Sequence, residues 1–215
     1  MEATRTAVPR GRHAPPLPER QTLQRERLFE AAASVFARQG YAEASAESIS
    51  REAGMSKATF YEHFANKEDC ILALFENAVG FVLGELASGA QHAGEDPAGR
   101  VRAGIRAFLT ALEAYPNEAQ TLLVEIIGAG PRAARRRDEV LQSFADVVDA
   151  ENATAAARHA DFPRFASPHD AFALVGAIAE LASRQVRRGE PPAMLDLEPV
   201  IERLMLGALG RSAGR

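Results

Sequence analysis

The stretch SAESISREAGMSKATFYEHF, residues Ser45 to Phe64, decides how this chain reads. Ser45 has the side chain of a helix N-cap, and Ile49 and Ala53 fall on the inward side of the short helix that would follow. Gly54 permits a sharp bend, because a residue without Cβ enters the left-handed region at no steric cost. Ser56 then caps a second short helix that starts at Lys57. Two short helices joined by a three- or four-residue turn containing Gly form a helix-turn-helix pattern. In that geometry the second helix enters the major groove and presents its N-terminal part to the base edges.

The second helix sorts its residues by face. Phe60 and Phe64, four apart, point inward. Lys57, Ala58, Thr59, Tyr61, Glu62 and His63 are left outside. Lysine, threonine and tyrosine donors, with protonated histidine, suit phosphate oxygens, and Ala58 allows close approach to the groove. Lys67 opens the next helix. A cation there is poorly placed for the macrodipole, which points to an anionic ligand such as phosphate at that helix N-terminus.

Outward from this stretch, apolar residues recur at three and four. The pattern predicts helices at about 22–40, 46–53, 57–63, 67–88, 98–114, a segment through Ile127, 131–158, 169–188 and 196–209. Gly40 suits the end of the first and Pro131 the start of the seventh. No Asn-Gly or Asp-Gly hairpin signal and no alternating β-branched run occurs. The fold class is all-α, with nine helices. Residues 1–20 hold Pro9, Pro15, Pro16 and Pro18 with Arg5, Arg10, Arg12 and Arg20, and read as a disordered tail whose arginines reach DNA or solvent.

At 215 residues, one compact unit or two small ones is expected. One cysteine, Cys70, excludes an intrachain disulfide and a cysteine-based zinc site. The longest unbroken apolar run, Ala171 to Ala179, is short for a membrane helix, so no membrane partner is expected. The net charge is −4, yet residues 1–64 hold 9 basic and 8 acidic side chains against 16 and 21 in the remainder. A weakly basic front on an acidic body is the sign pattern of a chain whose front meets a polyanion.

The run Gly40 to Phe75, GYAEASAESISREAGMSKATFYEHFANKEDCILALF, resembles the DNA-binding half of the TetR family of bacterial transcriptional regulators. Tyr41, Ser45, Ile49, Ala53-Gly54-Met55-Ser56, Phe60-Tyr61, Phe64 and Lys67-Glu68 carry the resemblance. Ser50 stands where the family usually has Ala, and Met55 where it has Val. The resemblance implies a tail at 1–20, a helix-turn-helix domain at 21–66, and an effector-binding and dimerisation domain at 67–215. It implies a cytoplasmic, homodimeric regulator, expected as a repressor released from a palindromic operator by a small apolar effector. The DNA contacts would be Ser45, Ser56, Lys57, Ala58, Thr59, Tyr61, His63 and Lys67.

The family's effector pocket lies among the middle helices, where Phe75, Val79, Phe108, Leu112, Tyr115, Leu122, Glu125, Ile126, Phe144 and Val147 are candidates for its lining. Glu125 sits in an apolar run, where a carboxylate is costly unless paired. It has three open roles: binding an effector cation or hydroxyl, pairing with Arg102 or Arg106, or facing solvent. The last two long helices would form a four-helix bundle with a partner copy through Ala173, Gly176, Ala177, Leu181 and Leu204, small residues permitting close approach. The run Arg132, Arg135, Arg136 and Arg137 reads as a solvated face. His159 and His169, with Asp161 and Asp170, lack zinc-site spacing. No cofactor, metal or catalytic set is expected, since G-x-S-x-G, HExxH, P-loop and dinucleotide motifs are missing from the sequence. An all-α small-molecule carrier or enzyme, and a structural DNA-binding dimer without effector, are the competing readings.

Overall fold

The computed structural model describes residues 16–209. Nine α-helices make up the described residues: α1 (Leu17–Glu43), α2 (Ala46–Glu52), α3 (Lys57–His63), α4 (Lys67–His92), α5 (Pro97–Ala114), α6 (Pro116–Leu123), α7 (Pro131–Arg158), α8 (Pro168–Arg188) and α9 (Glu198–Leu209). Short 3-10 turns at Glu125–Gly128 and Met194–Leu197 precede α7 and α9.

The first helix starts earlier than the pattern predicts. Residues Leu17 to Arg20 are helical, so the expected tail at 1–20 is too long at its inner end. Pro18 is tolerated there because the first turn has no use for its missing N–H. Arg5, Arg10 and Arg12 lie outside the described residues. The regular part of α1 ends where Gly40 was expected to end it: φ is 77° there, and Ala44 N–H then donates to Gly40 O at 3.2 Å. The expected segment through Ile127 is split. Val124 leaves helical geometry at φ −121°, and Glu125–Gly128 continues as a 3-10 turn.

One core joins the front of the chain to its end. Leu28, Val35 and Phe36 of α1, Ile49 of α2, Phe60 of α3 and Ile71 of α4 are fully buried, and the same cluster continues through Leu109 and Ile126 to Ile201 of α9. It crosses residue 66 without a break. By length and composition Lys67–Gly89 in α4 is apolar enough to cross a membrane, which a count of unbroken apolar runs overlooks. Here it packs against α5, α6 and α1, burying Cys70, Ile71, Leu74 and Phe75.

Among the described residues Arg20 Nε is the one buried side-chain polar atom without a hydrogen-bond partner, and the others are paired, as an interior of low dielectric requires. Ser183 Oγ of α8 donates to Leu123 O at the end of α6, 3.0 Å away. Asn152 of α7 donates to Pro163 O and accepts from Phe165 N–H, at 3.0 and 2.9 Å, pinning the loop before α8. Arg102 and Arg106 of α5 reach Glu202 and Glu198 of α9 at 2.6 and 2.8 Å. Neither therefore serves Glu125, one of the three roles left open for that residue.

Candidate functional site

The turn is built from local caps. Ser45 Oγ accepts Ser48 N–H at 3.1 Å, and Ser48 Oγ accepts Ser45 N–H at 2.9 Å, a reciprocal box that seals the start of α2. Gly54 has φ 67°, and Met55 N–H donates back to Ser50 O at 2.8 Å, which closes the bend. Ser56 Oγ accepts Thr59 N–H at 3.1 Å and caps α3. Phe60 is fully buried and Phe64 nearly so, their ring centroids 5.4 Å apart. Phe64 also meets Phe29 of α1, and the Arg25 guanidinium lies 5.0 and 4.9 Å from the centroids of Phe29 and Phe64. These contacts hold α3 by one face only.

The other face is open. Lys57, Ala58, Tyr61 and Glu62 are exposed, while Thr59 and His63 are half-buried. His63 Nε2 lies 3.3 Å from Gln24 Oε1 on α1. Burial, followed by the Arg25 charge, lowers the His63 pKa, with Glu62 pulling weakly the other way. The imidazolium pictured for this residue from sequence is therefore disfavoured in the free protein.

Lys67 is committed to the protein itself. Its Nζ donates to Tyr41 O at 2.7 Å and Ala42 O at 3.1 Å, and lies 4.3 Å from the Tyr41 ring centroid. Its cation sits at the terminal carbonyls of α1, where the helix dipole favours it. This accounts for a lysine at the start of α4 without an anion. The same turn is gripped from the other side by Glu125: Oε2 accepts Tyr41 N–H at 2.7 Å and Oε1 accepts Gln120 Nε2–H at 2.8 Å. Glu125 thus joins α6 to the turn after α1.

A cavity of about 470 Å³ lies between α4, α5, α7 and α8. Five of the ten residues expected to line a pocket do so: Phe75, Phe108, Leu122, Phe144 and Val147. Glu125, Val79 and Ile126 do not line it. Glu125 is held by the Tyr41 amide, and Val79 and Ile126 are buried in the core. Leu112 and Tyr115 border a separate cavity of about 170 Å³, where Tyr115 stacks edge-on against Phe81 with ring centroids 4.8 Å apart.

Sequence reading missed Val101, Ile105, Val140 and Leu141 on the main cavity wall, and Arg100 and Arg137 among them. The signal was available in α7, where 137, 140, 141, 144, 147, 148, 151, 152 and 155 follow helical spacing on one side. The arginine run is not one solvated face. Arg132 pairs with Glu68 and Asp69, and Arg136 with Glu76 and Glu139, so the start of α7 is strapped to α4. The Arg136 guanidinium holds the Glu76 carboxyl below its ordinary pKa.

The expected interface residues lie on the outer side of α8 and α9. Ala173 and Ala177 are exposed, Leu204 is 39% exposed, and Gly176 has no atom within 4 Å of where a Cβ would stand. Phe172, 38% exposed beside them, was not singled out from sequence. Leu181 is half-buried against the chain's own core. Cys70 is buried, and desolvation pushes its thiol up to about 12. It is a core side chain in this setting.

Residues 28–74, spanning α1 to the first turns of α4, match the sequence profile of the bacterial regulatory proteins of the tetR family. This segment is similar to the DNA-binding domain of that family. Curated regulators match part of the chain as well. The fatty acid metabolism regulator protein of Bacillus subtilis is 36% identical over 53 residues, which are 25% of this chain and 27% of that protein. The HTH-type transcriptional activator FasR of Mycolicibacterium smegmatis is 34% identical over 105 residues, 47% of this chain and 46% of that one. The matches therefore cover less than half the length of these relatives.

The TetR-like architecture extends further than the sequence match. The fatty acid degradation regulator FadR of Bacillus halodurans superposes with a TM-score of 0.75 at 21% identity, over 89% of this chain and 97% of that one. The B. subtilis FadR structure, solved in complex with stearoyl-CoA, gives 0.74 at 18% identity, over 85% and 98%. At these identities the likeness is one of fold.

Proposed function

We propose that this chain is a ligand-responsive, DNA-binding transcriptional regulator. The observation that carries the reading is the capped helix-turn-helix of residues 45–64, whose α3 is held by Phe60 and Phe64 and leaves Lys57, Ala58 and Tyr61 uncovered. Ala58 and Lys57, at the start of α3, approach base edges, while Ser45, Ser56, Thr59, Tyr61 and His63 line the phosphates. Lys67 contributes by fixing the end of α1 through the carbonyls of Tyr41 and Ala42. Residues up to 66 form the reading unit, and 67 onward the effector and pairing unit.

Reading a palindrome takes two copies. The outer face of α8 and α9, with Phe172, Ala173, Gly176, Ala177 and Leu204, supports a homodimer there. The effector occupies the 470 Å³ cavity, which falls in the range for small-molecule sites. Its apolar walls, together with the fatty-acid regulators and the stearoyl-CoA complex among similar proteins, favour a long acyl chain. Leu122 and Leu123 border the cavity three and two positions before Glu125, so a filled cavity presses on the grip that holds Tyr41 at the end of α1. Ligand then favours a state in which two α3 helices no longer match a groove spacing of about 34 Å. Operator and effector oppose each other reciprocally. The chain acts in the cytoplasm as a repressor, and catalysis plays no part.

A mobility shift on DNA upstream of the gene tests this, with and without long-chain acyl compounds. A retarded band that the compound abolishes at constant protein supports the reading. A compound that binds while DNA is never retarded favours a carrier instead.

A further inference from the structure

The cavity is lined almost wholly by carbon, yet two arginines border it, and they differ in how their charge is met. Arg100 of α5 pairs with Glu151 of α7 at 2.8 Å. Arg137 of α7 is half-buried, and forms no ion pair or hydrogen bond with any described residue. Its neighbour Arg136 turns away to Glu76, and Arg132 to Glu68 and Asp69, so these three carboxylates of α4 are already taken.

The two arginines mark opposite ends. The start of α7 is tied to the start of α4, beside the helix-turn-helix, and Glu151 meets α5 near its own first turn. The lining stripe on α7 runs from Arg137 to Ala155, 18 positions further on, or about 27 Å of helix. That is long for a cavity of about 470 Å³, so the space is narrow and extended. Its walls suit a single alkyl chain, and one end offers an uncompensated cation. A cation bordering an apolar space is costly to leave unmatched, and an anion is the group that offsets it.

We propose that the effector is an anionic amphiphile with one long alkyl chain, and that Arg137 binds its head at the end of the cavity nearest the helix-turn-helix. This rests on the effector reading above and adds its charge and orientation. The anion sits one helical turn from the Arg132 and Arg136 pairs that strap α7 to α4. The carboxylate of a free fatty acid and the phosphates of an acyl-CoA share this chemistry.

Calorimetric titration of the full chain with hexadecanoate, hexadecanoyl-CoA and the uncharged hexadecanol, below their micelle concentrations, tests the proposal. The wild type is expected to bind at least one anionic probe about tenfold or more tighter than the alcohol. Arg137→Gln is expected to remove that advantage and leave alcohol binding unchanged, while Arg137→Lys restores most of it. The probe whose advantage disappears identifies the source of the anion. Equal binding of acid, CoA ester and alcohol by the wild type overturns the anionic head while leaving an apolar effector standing. Equal losses for all probes in Arg137→Gln overturn it too, because they report packing. If none of the three binds, both this proposal and the acyl-effector reading fail.

Discussion

Around α3 the chain is sealed: Phe60 is fully buried, and α2 and α3 each begin with a serine that satisfies its own helix. Around the cavity the chain is open: α7 turns Phe144 and Val147 toward space that no side chain fills, and Val147 is 48% exposed. The first region holds one geometry through caps between residues close in sequence, with Phe64 anchored on Phe29 and Arg25 of α1. The second is enclosed by helices whose contacts are far apart in sequence, and it tolerates a void. A reader of DNA needs a rigid helix, since a small misplacement spoils groove contacts, whereas a ligand site needs room. The family-profile match ends at residue 74, while similarity in fold covers 89% of the chain.

The sharpest way to break this contrast is at the outer face of α8. Gly176 has nothing within 4 Å of its Cβ position, so Gly176→Glu is compatible with the isolated fold. At a two-fold interface it would place two carboxylates face to face, adding overlap, desolvation and like-charge repulsion. Loss of the dimer and of specific DNA binding is expected, with helical circular dichroism retained. Sedimentation at micromolar concentration decides it, and a dimeric mutant that still binds would place the interface elsewhere.

A second test compares the two regions directly. Phe60→Ala empties a sealed site and is expected to cost about 3–5 kcal/mol. Phe144→Ala widens a cavity that already exists, and is expected to cost about 1–2 kcal/mol. Denaturant titration of both variants measures the gap. Equal costs would show that the cavity is collapsed in solution.

Glu125 joins the two regions, and Glu125→Ala leaves the Tyr41 amide without its acceptor. A stability loss of about 1–3 kcal/mol is expected. The more telling readout is the ratio of DNA affinities with and without effector, which should shrink several-fold while effector affinity changes little. An unchanged ratio would mean that the signal travels through the Arg132 and Arg136 straps.

The smallest effect is at His63. Its folded pKa lies below the ordinary 6.5, so the unfolded chain binds more protons once the pH falls to that range. Its contribution to stability is complete above about pH 6.5 and lost as pH falls through the lowered value. Thermal unfolding from pH 7.5 to 5 should show a modest decline that His63→Gln flattens. DNA phosphate beside His63 would raise its pKa, so proton uptake on binding is the sign of a phosphate contact.

Much of the front of the molecule was legible from residues alone, because its determinants are local. Ser45, Gly54 and Ser56 act on atoms within about three positions, and Phe60 and Phe64 share a face by helical spacing. Nine helices were legible for the same reason, and Gly40 and Pro131 marked ends where the backbone demands them. The partners that sequence did not reveal are distant in sequence. Lys67 looked like an anion site because its partners, the carbonyls of Tyr41 and Ala42, lie 26 and 25 positions away. Glu125 looked like a pocket group because the Tyr41 amide that binds it is 84 positions away.

Sequence by itself thus determined the helices, the turn and the outward face of α3, since hydrogen bonds and caps within a few residues set each of them. Which side chains border the cavity, which arginine lacks a counter-charge and which carboxylate grips the turn after α1 were decided only by tertiary structure. Those properties depend on the angles at which α4, α5, α7 and α8 pack, and periodicity specifies the buried side of a helix without naming what that side will meet.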